Sequence, residues 1–484
     1  MAVLTALKKF CERRQHLSDL VLLAAVSSCV VFPALGQNRH WASREVRHAE
    51  IIREMTESGD YLVPRLLGKT YYDKPPVMHT AAAILTRIAG EPSMTIARMP
   101  SAVAGILGVL ATYGVGLLLL DRKTALVGAF ALLGMPGYSL MARQARPDMI
   151  LCFSIIASSL FLCMGMRKQR HGSRLVCFVI AGMISGIGVV TKGPFGVIFP
   201  IFFAVLAPFR RQELKRPRMG WIIFGLGVLI ALAAWAIPAY CRDNGEYLRR
   251  VIFQPDLDVG KGGNGGTFYY VWLVIFLAMP LSLYLPIAIA DLRRRGYSAM
   301  LAVAGAILVV ISCIPQKRRH YLLPLYPFLA LGIAASIVRH SETSKLVRRS
   351  AWALIPLSVV AIPVYYAAVQ PIAQPTEDPD MLFAQEVLGV VEPGSMIYCT
   401  RSEEELAWVG RQHERIRKFP TNASAIAVLR QIAPKSYLVV EEHDLELLRK
   451  ATNTLPIELI LVRKVDHRKM MLFRFKEHSF DMPD

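Results

Sequence analysis

What this sequence lacks narrows its function before anything it contains is weighed. Its eight cysteines, Cys11, Cys29, Cys152, Cys163, Cys177, Cys241, Cys313 and Cys399, are scattered and mostly lie inside apolar runs, with no CxxC pair. That spacing builds neither a disulfide framework nor a thiolate zinc site, so they read as small buried hydrophobes. No HExxH or HxxxH pair offers a zinc ligand set. Charge is scarce as well, at 19% of residues, and acidic charge scarcer still, with 36 Asp and Glu against 56 Lys and Arg. A mean hydropathy of +0.39 excludes an ordinary soluble enzyme.

Apolar segments long enough to cross a bilayer, about 17 to 25 residues each, recur from residue 17 to 370. Beyond that the composition is that of a soluble protein. The chain therefore reads as a membrane domain over 1–370 and a soluble domain over 371–484. Lys8, Lys9, Arg13 and Arg14 precede the first apolar run, Leu17 to Gly36, which is long for a signal peptide and reads as an uncleaved first helix. The net charge of +20 does not point to nucleic acid, because the positive excess sits in short loops between apolar runs.

Those loops give an orientation. Basic residues follow the runs 97–120, 149–166, 195–209, 269–290 and 321–338. They fall on one side if about eleven helices span the membrane and the N-terminus is cytoplasmic. Residues 77 to 90 are apolar but too short to cross, so they are placed as an interfacial or re-entrant helix inside one large outer loop, 37–95. The outer face then carries "YYDKPPVMH" (71–79), "ARPD" (145–148), "TKGP" (191–194), the loop 241–268 and "PQKRRHY" (315–321). The soluble domain lies on the same side.

A basic cluster at 317–320 violates the orientation rule and asks for another reason; an anion at the membrane surface, such as a lipid phosphate, supplies one, and a solvated turn or headgroup anchor is the alternative. Asp73 and Asp148 lie at membrane-surface depth beside prolines, where a carboxylate is costly unless paired or functional. Each has a cationic neighbour, Lys74 and Arg146, so a structural ion pair stays open for both. Glu45 opens the helical pattern "EVRHAEIIREM", where a first-turn acid is favoured on electrostatic grounds alone. Together the three carboxylates suit general-base activation of an acceptor or the holding of a divalent cation, with Glu45 and Asp73 as the metal candidates. No feature of the sequence requires a cofactor. Lys192 either snorkels from its helix end or contacts substrate. "GKGGNGG" (260–266) lacks the flanks of a phosphate-binding loop.

In their order, "EVRHAEIIREM…GDYLVPRLLGKTYYDKPP", "ARPDM", "TKGP" and "KRRHYLLPLYP" resemble the C-type membrane glycosyltransferases related to the lipid A aminoarabinose transferase and the protein O-mannosyltransferases, over roughly residues 37 to 335. The resemblance implies an inner-membrane enzyme that moves a sugar from a polyprenyl-phosphate donor to a lipid, protein or glycan acceptor at the outer face. It implies catalytic roles for Glu45, Asp73 and Asp148, with Lys74, Arg146, Lys192, Lys317, Arg318, Arg319, His320 and Tyr321 as substrate contacts. One departure stands out: Arg44 occupies the place where the family has an aspartate before the glutamate. An inactive lipid-binding relative is therefore one alternative. A transporter or flippase is another, although such folds show internal repeats and mid-membrane charges that are not seen here.

Residues 376 to 484 alternate apolar strands, "SMIYC", "YLVVEE", "IELILVRKV" and "KMMLFRF", with the amphipathic stretches "SEEELAWVGR", "SAIAVLRQIA" and "DLELLRKA". That alternation predicts a small α/β domain without a catalytic constellation of its own. No GxGxxG occurs in it.

Overall fold

The computed structural model describes residues 2–36, 45–167, 170–207, 218–253, 266, 268–293, 298–373, 378–421, 428, 432, 435–452, 457–465 and 467–476. Arg44, the glycine-rich run 260–265, the basic run 210–216 and most of 421–433 lie outside the described residues. The chain forms two compact units, one of residues 1–37, 60–63 and 72–371, the other of residues 38–59, 64–71 and 372–484.

The first unit is helical and polytopic. Among the described residues six helices are long and apolar enough to cross a membrane, Met94–Leu119, Asp148–Arg167, His171–Lys192, Arg218–Asp243, Arg319–Thr343 and Lys345–Ile372. The number rises to eight if each of two bent pairs counts as one span. About eleven spans were expected. The first expected run, Leu17 to Gly36, outlasts the helix Ala2–Val31 by five residues, and that helix is not among the six. The run 195–209 forms only the 12-residue helix Phe195–Leu206, roughly 18 Å long. The run 269–290 is two helices, Tyr269–Leu277 and Leu281–Ala290, bent by 110°. Pro280 at that break has no N–H to continue the ladder. The short helix expected at 77–90 is present as Val77–Ala89, 13 residues long.

Small residues let these helices approach. A Cβ on Gly182 would meet the Phe224 carbonyl oxygen at 2.1 Å, and one on Gly186 would meet the Ala231 methyl at 2.6 Å. The helices His171–Lys192 and Arg218–Asp243 thus cross backbone to backbone, the small-xxx-small solution for packing in lipid. On its other side the helix His171–Lys192 is tied to Asp148–Arg167 by Ser158, whose hydroxyl meets that of Ser185 at 2.8 Å and donates to the Ala181 carbonyl at 2.9 Å.

The second unit begins with the helix Glu45–Ser58, where the spacing of Ala49, Ile52 and Met55 predicts one. A hairpin follows, β1 (Arg65–Leu66) and β2 (Lys69–Thr70). Its two turn residues, Leu67 and Gly68, both have positive φ, 54° and 74°. The twist of a tight hairpin demands that conformation, and leucine adopts it reluctantly. The Glu54 carboxylate steadies the turn by accepting from the amides of Leu67 and Gly68 at 2.6 and 3.0 Å.

The rest of the unit is a five-stranded mixed sheet of β3 (Ile397–Cys399), β4 (Ile416–Lys418), β5 (Tyr437–Glu441), β6 (Ile457–Val465) and β7 (Arg468–Phe475), in the order β4-β3-β5-β7-β6. β3 runs parallel to both β4 and β5; β7 pairs antiparallel with β5 and β6. One face packs on the helix Pro379–Val390 through Phe383, Ala384 and Val387, the other carries Leu445 and Leu448 of the helix Glu442–Thr452. The four expected strands are all present. β4, Ile-Arg-Lys, escaped the sequence because it has no apolar run, unlike the equally short β3.

Candidate functional site

The antiparallel hairpin of helices Asp148–Arg167 and His171–Lys192 builds the centre of the site. A 20-residue helix rises about 30 Å, and the next helix, His171–Lys192, packs back along it. The first residue of one helix and the last of the next therefore stand at the same end. Those residues are Asp148 and Lys192. Each has the sign its helix end favours, a carboxylate at an N-terminus and an ammonium at a C-terminus. Gly193, at φ 83°, turns the chain away directly after the lysine, a conformation open to glycine without penalty.

Asp148 and Lys192 form a direct ion pair, with side chains 6% and 15% exposed. Arg146 Nε approaches the second carboxylate oxygen at 3.8 Å, and His320 Nε2 lies 3.9 Å from the first. The Lys192 ammonium also sits over the Tyr321 ring, 4.7 Å from its centroid. Ser101 holds the loop by donating to the Arg146 carbonyl at 2.7 Å. Arg146, Lys192, His320 and Tyr321, drawn from three separate stretches of the sequence, thus gather around the Asp148–Lys192 pair.

Asp73 and Lys74 pair with each other at 3.4 Å and are 24% and 19% exposed, more open than the Asp148 pair. Lys74 is close enough to Lys192 and His320 to act on both electrostatically. Its carbonyl accepts from the Tyr247 hydroxyl at 3.4 Å. Tyr247 in turn packs against Tyr72 and Trp235, at centroid distances of 6.1 and 6.2 Å, and the Arg250 guanidinium caps Tyr72. This aromatic support for the "YYDKPP" loop escaped the sequence reading, since Trp235 sits inside an apolar run and Tyr247, 173 positions from Lys74, in a separate predicted loop, 241–268. Before any charge on His320 is counted, three cations, Lys74, Arg146 and Lys192, face two carboxylates. The cluster keeps an excess of positive charge.

The 317–319 residues behave differently. Lys317 Nζ donates to the carbonyls of Ser312 and Ile314, closing the C-terminus of the helix Ser298–Ser312. Arg318 is half-buried and Arg319 exposed.

Glu45 is the first residue of its helix and is buried, in the second unit. That unit has its own charged network. Arg53, nearly inaccessible, grips both oxygens of Glu50 at 2.9 and 2.5 Å, reaches Glu57 at 2.6 Å and meets His413 Nδ1 at 3.0 Å. Burial raises the Glu50 carboxyl above the usual range against the opposing pull of Arg53. Arg47 binds Glu404 at 2.5 Å, and burial raises that carboxyl as well. Glu405 is pushed up to about 8 by burial and by the charge of Glu404.

Glu50, Glu54 and His413 bring one ligand atom each within 4.8 Å of one another, among the described residues the one such group of three His, Cys, Asp or Glu. The donor set does not fit a divalent ion. Arg53 already supplies the positive charge to Glu50 and His413, and both Glu54 oxygens accept hairpin amides. Asp73, one of the two carboxylates suggested for a metal, faces the Lys74 ammonium.

Comparison with known proteins follows the same line. Residues 73–237 match the family described as dolichyl-phosphate-mannose-protein mannosyltransferase. The chain is 25% identical over 375 residues to an undecaprenyl phosphate-alpha-4-amino-4-deoxy-L-arabinose arabinosyl transferase of Pectobacterium carotovorum, covering 72% of this chain and 64% of that protein. The chain therefore spans just under two thirds of that relative's length. The transferase of the same name from Pseudomonas aeruginosa is 26% identical, over 77% of this chain and 69% of its own. In fold, the chain matches ArnT from Cupriavidus metallidurans in the apo state with a TM-score of 0.73 at 18% identity, covering 94% of this chain and 97% of that one. It also matches the archaeal oligosaccharyltransferase AglB from Archaeoglobus fulgidus, with a TM-score of 0.55 at 14% identity over 98% and 75% of the two chains. The family match over residues 73–237, the arabinosyl transferase relatives and the shared fold agree with the motif order, and all of them liken this chain to the C-type membrane glycosyltransferases of the aminoarabinose transferases and protein mannosyltransferases.

Proposed function

We propose that this protein transfers a sugar from a polyprenyl-phosphate donor to an acceptor at the outer face of the inner membrane, with the second unit on that same side. The observation that carries the reading is the cation-rich cluster of Lys74, Arg146 and Lys192 around Asp148, at one end of two apolar helices. A lipid phosphate brings negative charge to that depth, where among the described residues three cations share two carboxylates. A Cupriavidus metallidurans ArnT with this fold has been crystallised bound to undecaprenyl phosphate.

In this reading the acceptor's nucleophilic atom attacks the anomeric carbon. The bond from that carbon to the phosphate oxygen breaks, and the electron pair leaves with the lipid phosphate. Lys74, Arg146 and Lys192 stabilise the charge that grows on the departing phosphate, the term that usually contributes most. The acceptor proton passes to a carboxylate. Asp73 suits that role better than Asp148, because it is more open and pairs with Lys74 at 3.4 Å, whereas Asp148 is surrounded by three basic side chains. Asp148 serves as the counter-ion that sets the geometry of the cations, and His320 and Tyr321 complete the wall. Glu45 stands as a second candidate base from the first loop. No step requires a metal ion.

Incubating the purified protein with labelled polyprenyl-phosphate sugars and membrane lipid or glycan acceptors tests the reading. Label transferred to an acceptor supports it. Tight polyprenyl-phosphate binding without transfer would favour instead an inactive lipid-binding relative, the alternative that Arg44 raises.

A further inference from the structure

Tyr270 has no role in the motifs above and lies at the start of the helix Tyr269–Leu277, buried to within 1% exposure. Its hydroxyl makes two bonds to a single residue: it accepts from the Arg318 amide at 2.9 Å and donates to the Arg318 carbonyl at 3.3 Å. The phenol thus takes up the N–H of the residue that precedes the 3-10 helix Arg319–Leu325 and shares its carbonyl with the Tyr321 amide, which donates to it at 3.0 Å. Arg318 there is extended, at φ −133° and ψ 129°. An extended residue leading into a 3-10 turn has no strand partner and no helical ladder for its N–H, so the site needs an outside group to fix it. The Lys317 ammonium, which closes the helix Ser298–Ser312, lies 5.6 Å from the centroid of the same ring. The ring therefore touches the residue before the clamp as well as the clamped one.

Two residues beyond Arg318 the chain delivers His320 to Asp148, and three beyond it delivers Tyr321 to Lys192. We infer that Tyr270 is a positioning residue of the donor-phosphate site: its hydroxyl fixes the Arg318 peptide, and through it the placement of His320 and Tyr321 against the Asp148–Lys192 pair. This rests on the glycosyltransferase reading for its functional consequence, though not for its geometry. The phenol holds the segment from a different helix than those that carry Asp148 and Lys192. Loss of the hydroxyl frees the segment while leaving the pair itself in place.

The test is Tyr270→Phe, which keeps the ring under Lys317 and removes only the oxygen, with Tyr269→Phe as a control that removes a neighbouring hydroxyl. Donor KM should rise about tenfold in Tyr270→Phe, the effect of one to two lost hydrogen bonds. The kcat should stay within about threefold, the melting temperature in detergent should barely move, and the control should match the wild type. Hydrogen–deuterium exchange of the peptide covering 317–323 should quicken about tenfold in Tyr270→Phe alone. Unchanged donor KM together with unchanged exchange would overturn the assignment, as would a uniform loss of melting temperature and kcat without a change in KM. If the wild-type protein transfers no sugar, the activity reading fails by itself, and exchange together with polyprenyl-phosphate binding still decides on Tyr270.

Discussion

Replacing Lys192 by methionine removes the ammonium that pairs with Asp148 and keeps most of the side-chain volume. Deleting one partner of a buried ion pair costs about 3 to 5 kcal/mol, because the other charge is left without compensation. Here Arg146 at 3.8 Å and His320 at 3.9 Å remain beside the carboxylate, which places the cost near the lower end, about 3 kcal/mol. The double variant Asp148→Asn/Lys192→Met removes both charges. A well-packed neutral replacement of a buried pair is often close to neutral in stability, so the double variant should recover about 2 kcal/mol or more of that loss, a coupling energy typical of residues in contact. Unfolding in detergent of the wild type, both single variants and the double variant gives the coupling directly. Polyprenyl-phosphate binding provides the second readout: it should weaken about tenfold or more in Lys192→Met and stay weak in the double variant, since one charge-assisted contact is missing from both. A double variant that is as unstable as the sum of the single variants would refute the pairing argument. Restored lipid-phosphate binding in the double variant would refute the assignment of Lys192 to the donor.

Asp73→Asn and Glu45→Gln should each lower transfer by at least about tenfold to a hundredfold with protein levels intact, approaching the loss of general acid–base help; near wild-type turnover in both removes them from the mechanism. Glu405 has a folded-state pKa raised to about 8 by burial and by Glu404, so its contribution to stability is fully present below the ordinary glutamate range and is lost as pH rises through about 8. Thermal unfolding of the full chain across that window should therefore be less steeply pH-dependent in Glu405→Gln, and identical pH profiles would contradict the burial argument. Cysteines introduced as Glu91→Cys and Gly172→Cys, both at exposed positions, should be labelled by impermeant reagents from opposite sides of the membrane; same-side labelling would end the outer-loop assignment of residues 37–95.

Much of this architecture was legible in the chain because it follows from local rules. Hydropathy located most of the long apolar helices, though not their number; the short run 77–90 formed a helix of only 13 residues, and apolar stretches such as "YLVVEE" and "KMMLFRF", alternating with amphipathic ones, announced β5 and β7. Asp148 and Lys192 were singled out for chemistry, yet their pairing is a matter of helix ends: 44 positions separate them, and only the antiparallel return of two helices of matching length brings them together. Lys317 was grouped with Arg318 and Arg319 as a phosphate contact on their shared charge, their place on the outer face and the family motif, while its ammonium turns back to close the helix behind it. A charge count cannot distinguish those uses, because both satisfy the same cation. The sharp bend near Pro280 was hidden for a similar reason. Proline within an apolar run signals a kink or a break equally, and the hydropathy of 269–290 stays high across it. The Glu50–Arg53–Glu54 triplet carried a usable signal, opposite charges at helical spacing within a pattern otherwise apolar, but nothing in sequence linked it to His413.

That last connection sets an order of events during synthesis. Arg47 and Arg53, in the first loop, find Glu404 and His413 only 357 and 360 residues later. At roughly 5 to 20 residues per second, the ribosome leaves the helix Glu45–Ser58 without those partners for about 20 to 70 s, while every intervening span is being inserted. The second unit is therefore the last part of the chain to close, however early its first helix emerges. A chain that stops short of His413 loses more than its tail: it strands a charged helix, already delivered near the membrane, that its own sequence was arranged to meet from the far end.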